Sequence, residues 1–233
     1  NREEVEQNII NIIQRSNSNY IIFAENNYPF LADETNIKNI LKYVKGNKKI
    51  IIGATRKKDE NFYNSFLLLE EGNIQYFDKK ILVPFGEFLP FRKYIKFMES
   101  ISGTNDFTPG NIDRVLSTKD SVIILPIICY EIIFEQIFKE INKNKIDFMI
   151  NITNDLWFGN MIGPYQHFYI TRLKSLIANK SLIRVSNNGI SVIFDQNGKI
   201  IKSSKLNQAS NLKHKLKLYN DKIYYNIHIL FSF

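Results

Sequence analysis

The sequence predicts an α/β fold made of two similar halves, a layered sandwich in which each half contributes a sheet and paired helices. Apolar residues at helical spacing alternate along the chain with short, fully apolar runs bounded by turn residues. This alternation occurs twice, on either side of a loop that holds Pro84, Gly86 and Pro90. A length of 233 residues with 44% hydrophobic side chains is also enough to bury a large core in one domain.

Taken in order, Val5, Ile9, Ile12 and Ile13 fall at helical spacing and predict a helix over residues 4–13. The run Tyr20-Ile21-Ile22-Phe23-Ala24 reads as a buried strand that ends at Glu25. A helix over 36–44, a strand over 49–55 and a hairpin of strands 61–69 and 74–77 follow, with Gly72 and Asn73 at its turn. Residues 78–90 read as an ordered loop over a strand edge, 92–98 as a short helix and 100–114 as a polar loop. The second half repeats the pattern with strand 121–128, helix 131–141, strand 147–153 and helix 164–180. Strands 183–186, 190–195 and 200–202 close it, with turn signals at Gly189 and at Asn197-Gly198. The catalytic domain is expected over residues 1–203. Residues 204–233 look polar and weakly periodic up to an apolar ending at 227–233, a tail with no assigned place.

Composition narrows the function classes. Thirty-one Lys and Arg against 23 Asp and Glu give a net charge of +8, which suits an anionic partner. Lysine, isoleucine and asparagine are nevertheless enriched along the whole chain, and no basic stripe interleaves with aromatics, so no nucleic-acid partner is expected. The single cysteine, Cys129, excludes an internal disulfide, a CxxC redox pair and a cysteine-rich zinc site. The longest apolar run, residues 122–129, is far short of the ~20 residues that span a bilayer.

Cys129 follows that apolar strand and precedes the expected helix, a strand-to-helix elbow. A thiol there would lie near backbone N–H groups and a helix N-terminus, which favour thiolate and a developing oxyanion. The plain alternative is a buried packing cysteine. A nucleophile needs a base and a cation. Glu25 ends a buried strand, where open α/β sheets place their ligands and where partial desolvation raises a carboxyl pKa. Lys79, at the end of another strand, offers the cation, and His167 offers an alternative Cys/His pairing.

Glu25, Lys79 and Cys129, in that order, resemble the Glu–Lys–Cys triad of the nitrilase (carbon–nitrogen hydrolase) superfamily. Longer motifs are similar to its apolipoprotein N-acyltransferase branch. They are Asp78-Lys79-Lys80-Ile81-Leu82-Val83-Pro84-Phe85-Gly86-Glu87, Ile128-Cys129-Tyr130-Glu131-Ile132-Ile133-Phe134, Asn154-Asp155-Leu156-Trp157-Phe158-Gly159, Ile162-Gly163-Pro164-Tyr165-Gln166-His167 and Asn187-Asn188-Gly189-Ile190. The resemblance covers residues 20–202 and implies a four-layer αββα sandwich with two sheets. It implies Cys129 as nucleophile, Glu25 as general base, Lys79 as the oxyanion's cation and Glu87 as a second glutamate in support. Tyr130, Trp157 and Phe158 would wall an acyl site, with core packing the alternative for Trp157. Glu131 would either position the site or cap its own helix.

The implied reaction takes an acyl chain from a phospholipid donor, holds it as a thioester and passes it to the α-amine of a diacylated apolipoprotein, with no metal or cofactor. The implied setting is the periplasmic side of a bacterial inner membrane. Membrane helices that would flank the domain, and a first core strand ahead of residue 4, do not occur in the sequence, and Phe23-Ala24-Glu25 stands where the family has Trp-Pro-Glu. The expectation is an extracytoplasmic catalytic domain cut short at both ends. A soluble amidase using the same triad, and a catalytically silent remnant, are the competing expectations.

Overall fold

Apolar side chains at successive positions of the central strands give both faces of a sheet something to bury, and the computed structural model of the chain shows the result: two mixed sheets face to face, with helices on both outer sides. The structure describes residues 1–90, 106–143, 145–159, 161–208, 211–217 and 224–230.

The first half runs α1 (Arg2–Arg15), β1 (Tyr20–Phe23), β2 (Tyr28–Leu31), α2 (Glu34–Leu41), β3 (Lys49–Lys58), β4 (Asn61–Glu70) and β5 (Asn73–Asp78). Asn1 and Asp33 cap the two helices, accepting from the backbone N–H of Glu3 and of Asn36. The second half runs β6 (Leu116–Ser117), β7 (Ile123–Ile128), a 3-10 turn (Cys129–Ile133), α3 (Gln136–Lys143) and β8 (Phe148–Asn154). A second 3-10 turn (Asp155–Phe158), α4 (Gly163–Ala178), β9 (Ser181–Asn187), β10 (Val192–Phe194) and β11 (Ile200–Ser203) follow, and β12 (Asn211–Lys217) and β13 (Tyr224–Leu230) end the described chain.

One sheet has the order β12-β13-β1-β3-β4-β5, with β2 also paired to β3; the other is β11-β10-β9-β8-β7-β6. Each is parallel in part of its run, β13-β1-β3 in the first and β7-β8-β9 in the second, and antiparallel toward its edges. Side chains sort by period two. Ile22, Ile51, Phe66 and Leu68 of the first sheet meet Ile128, Phe148, Ile150 and Val185 of the second in the central core. Ile21, Ile50, Ile52 and Leu67 instead pack outward on Ile9 and Ile13 of α1 and Ile37 and Ile40 of α2. On the far side, Leu125, Ile127, Met149 and Leu182 pack with Ile137 of α3 and Phe168 of α4. This is the expected αββα sandwich.

Three expectations change. The helix read at 131–141 is divided into a five-residue 3-10 turn and a helix that starts only at Gln136. The strands β2 and β6, four and two residues long, were too short to register as alternation. Residues 204–233, set apart as a tail, supply β12 and β13, and β13 lies parallel to β1 with Tyr20 opposite Ile227 and Phe23 opposite Leu230. The signal was present in Leu212-Lys213-His214-Lys215, where Leu212 and His214 are half-buried and both lysines exposed, a period-two pattern hidden by its high lysine content. β1 is thereby flanked on both sides, and His228 of β13 shares a 2.9 Å hydrogen bond between its Nδ1 and Ser16 Oγ. The helix expected at 92–98 lies outside the described residues, as does the part of the expected polar loop at 100–105. No helix among the described residues is long and apolar enough to cross a membrane.

Candidate active site

β1, β7 and β8 all end on the same side of the sandwich, and residues at or just past their ends, Glu25, Cys129 and Asn154, line one cavity of about 430 Å³ between the sheets. Lys79, just past the end of β5, and Glu87 line it as well, while Phe85, Tyr130, Trp157 and Phe158 give it an apolar wall. The location matches the rule that ligands bind at the carboxyl ends of parallel strands. Two backbone contacts fix Glu25 there: Asn187 of β9 donates to its carbonyl at 2.7 Å, and Gly53 lies so close that a Cβ would meet Glu25 Cα at 2.6 Å.

Two carboxylates meet around Lys79, which is 1% exposed. Its Nζ lies 2.8 Å from Glu87 and 3.8 Å from Glu25 Oε1. Asn64 of β4 donates to both carboxylates, at 2.8 Å to Glu25 and 2.7 Å to Glu87, and the Val83 N–H holds the other Glu87 oxygen at 2.9 Å. Among the described residues Glu25 Oε2 has no hydrogen-bond partner. Burial pushes the Glu25 pKa up, and Lys79 and Asn64 offset only part of that rise. Lys79 shifts up as well: burial opposes its charge, but Glu25, Cys129 and Glu87 together outweigh it, so the ammonium is retained.

Cys129 sits at the elbow with φ of 51°, a left-handed conformation that costs a side-chain-bearing residue on the order of 1–2 kcal/mol. Its thiol is pushed up to about 12, first by burial and then by the Glu25 charge, with Lys79 and contacts from Thr153 and the Asn154 backbone pulling the other way. The element after Cys129 is a five-residue 3-10 turn in place of the expected helix, and desolvation dominates the thiol's shift. A thiol in this state reacts only as its proton is removed, and the carboxylate coupled to it is Glu25.

Glu131 ties the turn after β7 to the segment that carries Lys79. Its Oε2 accepts from the Ile128 N–H at 3.0 Å, capping the turn, while Oε1 accepts from the Lys80 and Ile81 N–H groups at 2.8 and 3.2 Å, anchoring the segment that carries Lys79. Arg114 closes the arrangement with two 2.7 Å bonds to the same carboxylate. Trp157 is 73% exposed, a cavity-wall residue and not core. His167 faces Asp155 and Arg184, at 3.0 and 3.2 Å from its Nδ1, and does not line the cavity, so the Cys/His pairing is not formed. Sequence reasoning missed Asn64, Arg114 and Arg184. Arg184 did carry a signal, a charge inside the apolar run Leu182-Ile183-Arg184-Val185, which calls for a buried partner.

Comparison with known proteins places this geometry in context. The carbon–nitrogen hydrolase family model matches residues 5–218. The apolipoprotein N-acyltransferase of Rickettsia typhi is 39% identical over 166 residues, covering 70% of this chain and 33% of that protein. That of Wigglesworthia glossinidia brevipalpis is 38% identical over 210 residues, covering 84% and 41%. The chain thus spans about a third to two fifths of the length of these relatives. Among solved structures, Saccharomyces cerevisiae Nit3, a member of branch 10 of the nitrilase superfamily, superposes with a TM-score of 0.66 at 16% identity over 89% of this chain and 82% of that one. A glutamine-dependent NAD+ synthetase from Acinetobacter baumannii gives 0.69 at 14% identity over 89% and 41%, a likeness of fold. The chain belongs to the carbon–nitrogen hydrolase family.

Proposed function

We propose, on the premise of that membership, that the chain is the catalytic domain of an apolipoprotein N-acyltransferase, with Cys129 as nucleophile, Glu25 as general base and Lys79 as the oxyanion's cation. The observation that carries the reading is a single cavity that joins these three groups to an apolar, aromatic wall. Cys129 Sγ attacks the ester carbonyl of a phospholipid while Glu25 takes the thiol proton. Lys79, which keeps its charge, stabilises the tetrahedral oxyanion. The C–O bond breaks, the proton passes from Glu25 to the departing lysophospholipid oxygen, and an acyl thioester remains on Cys129. The α-amine of a diacylglyceryl-cysteine then attacks that thioester. Glu25 takes the amine proton, the C–S bond breaks, and the thiolate is reprotonated.

Glu87 supports Lys79 and Glu131 supports the segment that carries it. Tyr130, Trp157 and Phe158 shield the thioester from water. Beside the cavity mouth, Leu156, Trp157, Met161 and Ile162 are all more than half exposed, an apolar surface that suits delivery of both substrates from a membrane. The setting implied by the acyltransferase resemblance, the periplasmic face of a bacterial inner membrane, is part of the same proposal. Incubation with phospholipid vesicles and a synthetic diacylated lipopeptide, in membrane-reconstituted protein, is expected to add one acyl chain to the lipopeptide by mass. Equal product from Cys129→Ala would exclude the assignment, and Cys129-dependent hydrolysis of small amides instead would favour an amidase.

A further inference from the structure

Behind the cavity, on the face of the second sheet that packs against α4, lies a polar cluster that the reaction does not use. Its centre is Arg184 of β9, 0% exposed. One guanidinium nitrogen, Nη1, donates to Asn151 Oδ1 at 3.0 Å and to Thr171 Oγ1 of α4 at 3.1 Å. The other, Nη2, donates to Asp155 Oδ2 at 2.6 Å, and Nε donates to the Ile190 carbonyl at 3.2 Å.

Two of these four acceptors, Asn151 and Asp155, lead to the two sides of the cavity. Asn151 Nδ2 donates to the carbonyls of both Ile127 and Cys129 at 3.3 Å, so it holds the strained elbow at the penultimate residue of β7 and at the nucleophile itself. Asp155 opens the 3-10 turn that carries Trp157 and Phe158, and it also accepts from Thr153 Oγ1 at 3.2 Å. Its other neighbours leave no slack: a Cβ at Gly189 would fall 2.0 Å from Asp155 Oδ2, and His167 holds Oδ1 while its ring packs edge-on against Phe158.

We propose that Arg184 is a positioning residue that fixes the nucleophile's elbow and the aromatic wall of the acyl cavity in one relative geometry. A planar guanidinium suits this role because its donors are set in a rigid fork, whereas lysine would hold a single point. The proposal rests on Cys129 being the nucleophile, and two native probes read it without reference to acyl donors. Cys129 is the only cysteine and Trp157 the only tryptophan.

The test compares Arg184→Lys with wild type in three readouts: the rate of Cys129 alkylation by iodoacetamide, acrylamide quenching of Trp157 fluorescence, and the saturating rate of Cys129 acylation by p-nitrophenyl octanoate. Alkylation and quenching are expected to change together, and acylation to fall about 100-fold, the scale of a displacement of about 1 Å at a reacting centre. Should Arg184→Lys fail to fold, Arg184→Met combined with Asp155→Leu replaces the buried pair with apolar volume, a change that often preserves stability. It is expected to fold with both probes shifted. A folded variant in which Cys129 and Trp157 both behave as in wild type, or in which only one of them changes, would overturn the proposal. A wild-type chain that alkylates at Cys129 but never acylates there would instead count against the nucleophile assignment.

Discussion

Glu25 and Glu131 are both buried glutamates beside the same cavity, and their carboxyl groups shift in opposite directions. Burial raises both; Glu131 nevertheless ends low, because Arg114 grips it with two short bonds and three backbone N–H groups complete its shell. Glu25 ends high, because among the described residues its cation Lys79 is 3.8 Å away and shared with Glu87, and Oε2 has no hydrogen-bond partner. The difference separates structure from chemistry. A carboxylate whose lone pairs are all satisfied is a fixed anchor, whereas one that is only partly satisfied retains an appetite for a proton.

The largest effect that can break this comparison is on reactivity. Glu25→Gln is expected to slow Cys129 acylation by about 10²–10⁴-fold, the range of a general base, while changing stability by less than about 1 kcal/mol in urea unfolding. Glu131→Gln should do the reverse in kind, destabilising the fold by about 3–5 kcal/mol because Arg114 is left buried without its partner.

A smaller effect lies in acid. Asp155 is held down to about 2, and Glu131 is lowered as well, so the folded state binds these protons less tightly than the unfolded chain. Their stabilisation is complete above the unfolded carboxylate range and is lost as pH falls toward 2, on the order of 2 kcal/mol for Asp155. Glu25 has the opposite sign, because a raised pKa makes stability fall as pH rises from its unfolded value to its folded one. Urea midpoints measured across pH should show the acid-side loss shrink in Asp155→Asn, and the Glu25 slope vanish in Glu25→Gln. The smallest expected change in stability is at Trp157→Ala, within about 0.5 kcal/mol at so exposed a site, with a higher half-saturating donor concentration as its kinetic mark.

Much of this was legible in the residues. The apolar runs at residues 20–24 and 123–128 declare buried strands by composition, and the charged or thiol-bearing residue that follows each marks a sheet's carboxyl end. What escaped was what only the third dimension brings together. Asn64 and Arg114 are ordinary polar residues in sequence, 39 residues from Glu25 and 17 from Glu131. The rise in the Cys129 pKa escaped as well, since an elbow motif reports nearby N–H groups but not the depth of burial that outweighs them. β12 was obscured because lysine dominates its apparent polarity, although alternation survives beneath it, and β13, which has no lysine, showed only through the apolar ending at 227–233.

The most direct test of the central claim is intact-mass analysis of the chain after reaction with p-nitrophenyl octanoate. The account predicts one octanoyl increment on wild type, removed by hydroxylamine and mapped to Cys129, formed normally in Trp157→Ala at high donor concentration and lost in Glu25→Gln and Lys79→Met variants that still unfold cooperatively. The same labile adduct in Cys129→Ala, or undiminished acylation in folded Glu25→Gln, would contradict it.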